Sequence, residues 1–312
     1  MERRFTTAFA TLACISVLTI PAAPVLAQDV ETFVPDSDWA LDYGEDACRL
    51  IRDFSDGNDK VTLLIERSAP GQTLRVMVYG NVLKPFRGAE QIGYAMLPQG
   101  VSRNAPKVQL AEINGQLGLN LGTTTLADPP ARGGVGGAGA RPAGAPSVPA
   151  QSSREAEART AASINGIALT TGLSRPVHIE TGPLGAPIEA LQVCADDLAG
   201  SWGIDAEAHK SLTRAASPAV PPAGWVEQGT VGFGDFARLS GGNNEFRVMI
   251  DAAGKPTACA VQSPSLDKAT NDRICGAVMS KGAFNPALDA AGKPIASYWT
   301  TSVVFLMPAL RR

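Results

Sequence analysis

Apolar side chains recur along this chain at two spacings, and each spacing marks a different kind of element. Val61-Thr62-Leu63-Leu64-Ile65 and Leu74-Arg75-Val76-Met77-Val78-Tyr79 are aliphatic, β-branched runs separated by Pro70-Gly71, so they read as a hairpin. A short element over 48–52 precedes them, and 108–113 adds a further strand. Toward the carboxy terminus, Phe246, Val248 and Ile250 alternate with Arg247 and Met249, the period of a half-buried strand. Asp251-Ala252-Ala253-Gly254-Lys255-Pro256 supplies a turn, and 257–262 returns with Thr257, Cys259 and Val261 on one face. The last and longest strand covers 297–307. Tyr298, Thr300, Ser302, Val304 and Leu306 face one way, and Trp299, Thr301, Val303, Phe305 and Met307 the other.

Spacings of three and four mark helices. The Ala- and Glu-rich stretch 153–163 is one; Ile188, Leu191, Cys194 and Leu198 line one face of a second over 188–199; 205–214 is a third. Ser265 or Asp267 caps a fourth that runs to Lys281, burying Ile274, Ala277 and Val278 and leaving Asp267, Lys268, Asp272 and Arg273 wet. The pattern predicts an α+β protein: a mixed α/β amino-terminal domain, then a carboxy-terminal domain of three antiparallel strands and a helix.

Composition sets the punctuation. Asp128 to Ser152 holds six Gly and five Pro in 25 residues with almost no large side chain, and reads as a low-complexity loop because nothing there offsets ordering entropy. It contains Gly134-x-Gly136-x-x-Gly139, but that dinucleotide-binding pattern needs a strand before it and a helix after it, and neither flank qualifies. The segment 216–224, with Pro218, Pro221 and Pro222, reads as a linker between domains 28–215 and 225–312.

The amino terminus reads as a secretion signal over 1–27. Arg3 and Arg4 form the charged region, 8–20 the apolar stretch, and Val25-Leu26-Ala27 the cleavage site. A retained anchor is the rival reading, but it needs about 20 apolar residues, whereas the stretch from Ala8 to Ile20 is 13 residues long and ends at Pro21. Thr11-Leu12-Ala13 before Cys14 fits a lipoprotein signal poorly. Secretion makes Cys48, Cys194, Cys259 and Cys275 candidates for disulfides, with three connectivities open. Pairing Cys48 with Cys194 and Cys259 with Cys275 keeps each bridge within one domain, and that pairing is expected.

Chemistry changes the picture little. The formal charge of −3 lacks the basic field that phosphate backbones demand, which argues against nucleic acid. No Cys or His spacing suggests a metal, and no cofactor is implied. Asp196-Asp197 are neighbours that diverge on a helix and read as a solvated face; His178 sits in a strand and His209 on a polar helix, with no GxSxG nearby. No catalytic residue is assigned. Arg247 and Arg273 read as exposed charges, and Trp299 as core.

The order of features from Glu245 to Met307 carries a resemblance. It runs strand, Asp251–Pro256 turn, strand ending near Ser263, Leu266-Asp267, helix, Phe284-x-Pro286-Ala287, a second identical Asp-Ala-Ala-Gly-Lys-Pro turn at 289–294, then an apolar strand. This resembles the carboxy-terminal domain of the TonB family over about a fifth of the chain. The resemblance implies a domain that grips an extended segment of a periplasmic or outer-membrane protein by adding it to a sheet edge. The edge strand would be the last, with Tyr298, Thr300, Thr301, Ser302 and Val304. With a cleaved signal the implied protein is a periplasmic binding or scaffold protein. The alternative is an inner-membrane energy transducer, whose retained first helix would engage an ExbB/ExbD-type motor.

Overall fold

The computed structural model describes residues 30–105, 110–113, 116–126, 150–226, 230, 232, 243–262 and 268–304. The signal segment, most of the low-complexity loop with its glycine pattern, the cap at Ser265 or Asp267, and 305–307 of the last strand lie outside the described residues. The chain is α+β, and the described residues are mostly strand with four α-helices.

The amino-terminal unit runs through β1 (Glu31–Pro35), β2 (Ala40–Tyr43), β3 (Cys48–Ser55), β4 (Lys60–Arg67), β5 (Leu74–Tyr79), β6 (Gly93–Leu97), β7 (Ser102–Asn104), β8 (Leu110–Ile113) and β9 (Gln116–Thr124). After α1 (Ala150–Ser163) come β10 (Gly166–Thr171), β11 (Val177–Ile179), α2 (Gly185–Ser201) and α3 (Ala206–Lys210). The strands form one sheet in the order β7-β6-β10-β11-β1-β3-β4-β5-β9-β8, with β2 beside β3. Among the described residues its one parallel pair is β1 with β11. The sheet nearly closes: Arg103 of β7 donates to the Thr124 hydroxyl of β9 at 2.6 Å and to the Leu126 carbonyl at 3.3 Å.

Its core follows from the alternation. Val61, Leu63 and Ile65 are buried on one face of β4 and meet Ile188, Leu191, Cys194 and Leu198 of α2 in a single cluster. The expected hairpin is β4 with β5. Cys48 of β3 is bonded to Cys194 of α2, Cα to Cα 6.1 Å. A buried ion pair ties β4 to α1: Arg67 Nη2 lies 2.6 Å from Glu157, which also accepts from Gln192 of α2 at 2.7 Å. Burial pushes the Arg67 pKa down, against the pull of Glu157.

Four expectations need correction. Asp196 is not on a solvated face, since Arg154 grips both its oxygens at 2.7 Å. Residues 150–152 belong to α1 rather than to a loop. The third helix stops at Lys210 because the backbone beyond it pairs instead with Leu288, Thr213 N donating at 2.9 Å and Leu288 N returning to Arg214 O at 2.8 Å. The proline-rich segment is folded onto the carboxy-terminal unit: Ala216 is buried there and β12 (Ser217–Pro218) pairs with Phe284 and Asn285.

After a 3-10 turn at Pro222–Gly224 the carboxy-terminal unit contains β13 (Asn243–Ile250), β14 (Pro256–Val261), α4 (Lys268–Lys281), β15 (Phe284–Asn285), β16 (Ala287–Leu288), β17 (Pro294–Ile295) and β18 (Ser297–Val304). β13 is central in the antiparallel order β14-β13-β18. Ile274 and Val278 of α4 are buried as expected, whereas Ala277 is only half-buried. Cys259 faces α4 and is bonded to Cys275, Cα to Cα 5.6 Å. Both turn aspartates work alike: Asp251 Oδ1 accepts from the amides of Ala253 and Lys255, and Asp289 Oδ1 from those of Ala291 and Lys293, all at 2.9 Å.

Two disulfides of this kind belong to an oxidising extracellular or periplasmic compartment. Among the described residues no helix is long and apolar enough to cross a membrane.

Candidate functional site: the β18 edge and the face beside it

Opposed residues of antiparallel strands share a face, so the register of β13 assigns every side chain of the small sheet to one of two sides. Val248 stands opposite Cys259 of β14 and Trp299 of β18, and Phe246 opposite Val261 and Thr301. This side carries the core: Trp299 packs on Trp225 and Phe284, with ring centroids at 5.8 and 5.5 Å. Trp299 is therefore core, as expected from its type.

The opposite side carries Glu245 opposite Ser302, Arg247 opposite Thr300, and Met249 opposite Tyr298. It lies against the amino-terminal unit, and the contacts are polar. Glu245 accepts from Ser68 at 2.8 Å and from Arg75 at 2.9 Å, and Arg75 also reaches Glu66 at 3.3 Å. Gln262 Nε2 donates to the Ser68 carbonyl. Arg247 is buried rather than exposed, which overturns its reading as a surface charge. Its guanidinium lies 3.6 Å from the Trp202 ring centroid and 3.3 Å from Asp46. Burial lowers its pKa, with Asp46 opposing.

Tyr298 points into the same junction. Its hydroxyl donates to the Pro70 carbonyl at 2.9 Å, and its ring meets Trp202 edge-on at 5.7 Å and stacks with His209 at 6.1 Å. Burial pushes the phenol well above its ordinary value. His209 is likewise not on a polar face. Its Nδ1 must donate to the Asp205 carbonyl at 2.7 Å, so Nε2 accepts from the Ser297 hydroxyl at 2.9 Å.

What remains open is the outer edge of β18. Among the described residues β18 pairs with β13 and with nothing else. It is eight residues long, in unbroken register over Ser297–Val304, and holds no charge and no proline. Edge strands are ordinarily blunted by shortness, charge, proline, bulges or covering elements. The other edges here are. β7 has three residues, β8 four, and β14 carries Pro256, a register shift opposite Met249 and Ile250, and the bridge to α4. Among the described residues β18 alone of these edge strands is long, uncharged, free of proline and in unbroken register.

The sequence-selected Tyr298, Thr300, Thr301, Ser302 and Val304 thus lie together on this strand, but with divided roles. Tyr298 and Thr300 face the amino-terminal unit, Thr301 lies on the core side with Phe246, and the side chains of Ser302 and Val304 lie outside the described residues. Sequence reasoning missed Glu245, Gln262, Trp202 and His209. Polar residues alternating with apolar ones in β13 look like a solvated face, and no local pattern reveals that another part of the chain covers it. Among the described residues no group of three His, Cys, Asp or Glu side chains could hold a metal ion. No family model, curated protein or solved structure matches this chain.

Proposed function

We propose that this is a periplasmic binding or scaffold protein, cleaved after Ala27, that captures an extended segment of a periplasmic or outer-membrane protein by strand addition to β18. The observation that carries the reading is the eight-residue strand without charge or proline whose outer edge has no partner strand among the described residues. An extended segment laid beside it gains main-chain hydrogen bonds along its length, and β18 offers no charge that would have to be desolvated. The order of motifs over 245–307, similar to the TonB carboxy-terminal domain, supports the same reading. A motor-coupled transducer would need a retained first helix.

Glu245 bonds to Gln262 on the β14 side, so Phe246 bonds to Thr301 and the outward amide next to it is that of Thr300. Thr300→Pro removes that outward donor in the middle of β18, whereas Thr300→Ala keeps it. With both variants melting as a folded protein, the reading expects peptide binding to survive alanine and to be lost with proline. Equal binding by the two would remove strand addition as the mode, and equal loss would assign recognition to the Thr300 side chain.

A further inference from the structure

The junction between the two units is built unlike either core. Among the described residues no hydrophobic cluster spans it: one is confined to the amino-terminal unit and the others to the carboxy-terminal unit with Leu212. Most of the contacts that cross it are hydrogen bonds and ion pairs, from Glu245 to Ser68 and Arg75, Arg247 to Asp46, Ser297 to His209 and Tyr298 to Pro70. They are joined by one aromatic cluster, in which the Tyr298 ring meets Trp202 and His209 and Arg247 lies over Trp202. Buried polar atoms also collect there without a hydrogen-bond partner among the described residues: Arg75 Nε, Arg247 Nε and Nη1, Trp202 Nε1 and Gln262 Oε1. Each is a group that regains hydration when the junction parts. Among the described residues the chain crosses it once, between Lys210 at the end of α3 and Thr213, which is already paired with Leu288.

We propose that this seam is a reversible joint: the amino-terminal unit docks on the sheet face carrying Glu245, Arg247, Tyr298 and Thr300, and swings away about 211–212 to uncover it. Three features converge on that behaviour. Apolar burial, the usual glue of a permanent interface, is confined to the Tyr298, Trp202 and His209 rings, and polar junctions of this kind are where domain motion is expected. Buried charges without full hydrogen bonding cost the closed state what solvation returns to the open one. The single short crossing lets the units part while leaving every sheet intact. The joint concerns the face of β18, so it stands apart from strand addition, which uses the edge.

Hydroxyl-radical footprinting of the full chain reads the joint directly, because it reports side-chain exposure. Glu245→Gln removes one charge of the Arg75 pair, and Glu245→Lys sets two cations against each other. The open population should rise in the order wild type, Gln, Lys, by at least roughly tenfold for Lys. Oxidation of Trp202 and Tyr298 should rise with it, while Phe54 and Trp299, one from each core, keep their wild-type protection. If the lysine variant does not accumulate, Gln262→Ala replaces it in the series. Unchanged rates at Trp202 and Tyr298 across the series would mean a rigid seam and overturn the proposal. A rise shared equally by Phe54 and Trp299 would also overturn it, since that reports unfolding rather than a hinge.

Discussion

The guanidinium of Arg247 lies over the indole of Trp202, 3.6 Å from its ring centroid. The two residues are 45 positions apart and belong to different units, so the contact measures how the units meet. A desolvated pair of this kind contributes about 2 kcal/mol. A double-mutant cycle with Arg247→Ala and Trp202→Ala should show a coupling of about 1–2 kcal/mol in denaturant unfolding. A coupling near zero would mean that the stack does no more than fill space.

The two identical turns should respond differently to the same substitution. Both central glycines have positive φ, 83° at Gly254 and 77° at Gly292, so an alanine strains the backbone at either by about 1–2 kcal/mol. At Gly254, however, a Cβ would sit 2.2 Å from the Phe284 carbonyl oxygen, whereas at Gly292 it meets nothing within 4 Å. Gly254→Ala should therefore lower the melting temperature clearly more than Gly292→Ala. Equal losses would show that the turn at 251–256 is not seated on β15.

The disulfides should separate under mild reduction. Cys48 and Cys194 are 1% and 0% exposed, while Cys259 and Cys275 are half-buried. A reductant should reach the Cys259–Cys275 bridge first, and differential alkylation followed by peptide mass spectrometry reads the order. Closing 16 positions, that bridge contributes roughly 3 kcal/mol in the chain-entropy account, so Cys259→Ala with Cys275→Ala should lose about that much.

His209 makes stability depend on acidity with a definite sign. Burial holds its pKa below the ordinary 6.5, with the Asp205 carbonyl and carboxylate opposing. The unfolded chain therefore takes up the proton first. The stability that neutral His209 contributes is complete above about 6.5 and is lost as pH falls from there toward the lowered folded value, below which no more is lost. Denaturant midpoints measured across that interval should fall in the wild type and fall less in His209→Gln. Parallel slopes would assign the pH dependence to other groups.

Much of the fold was legible because its strands and helices bury one regular stripe each. The hairpin of β4 and β5, the α2 face at Ile188, Leu191, Cys194 and Leu198, and the Cys259–Cys275 bridge all follow from spacing and burial within one unit. The losses have a common cause. Arg247, His209 and Asp196 each sit where sequence pattern predicts solvent, and each is covered by an element far away in the chain: α2 over Arg247, β18 over His209, and α1 over Asp196. Helix α3 stops early for the same reason, since Leu288 captures the backbone at Thr213 and Arg214. The large sheet was beyond reach, because its order joins β3 to β1 and β1 to β11 through pairings that no local pattern encodes.

The amides along the outer edge of β18 report strand addition themselves. The isotope-labelled chain would be titrated with a synthetic peptide copying a plug segment of an outer-membrane receptor, up to millimolar concentration. Strand addition predicts that the β18 amides pointing away from β13 shift and become protected from hydrogen exchange, while those of β14 at the opposite edge stay unchanged. Resonances of β18 that do not move, with or without changes elsewhere in the chain, would contradict it.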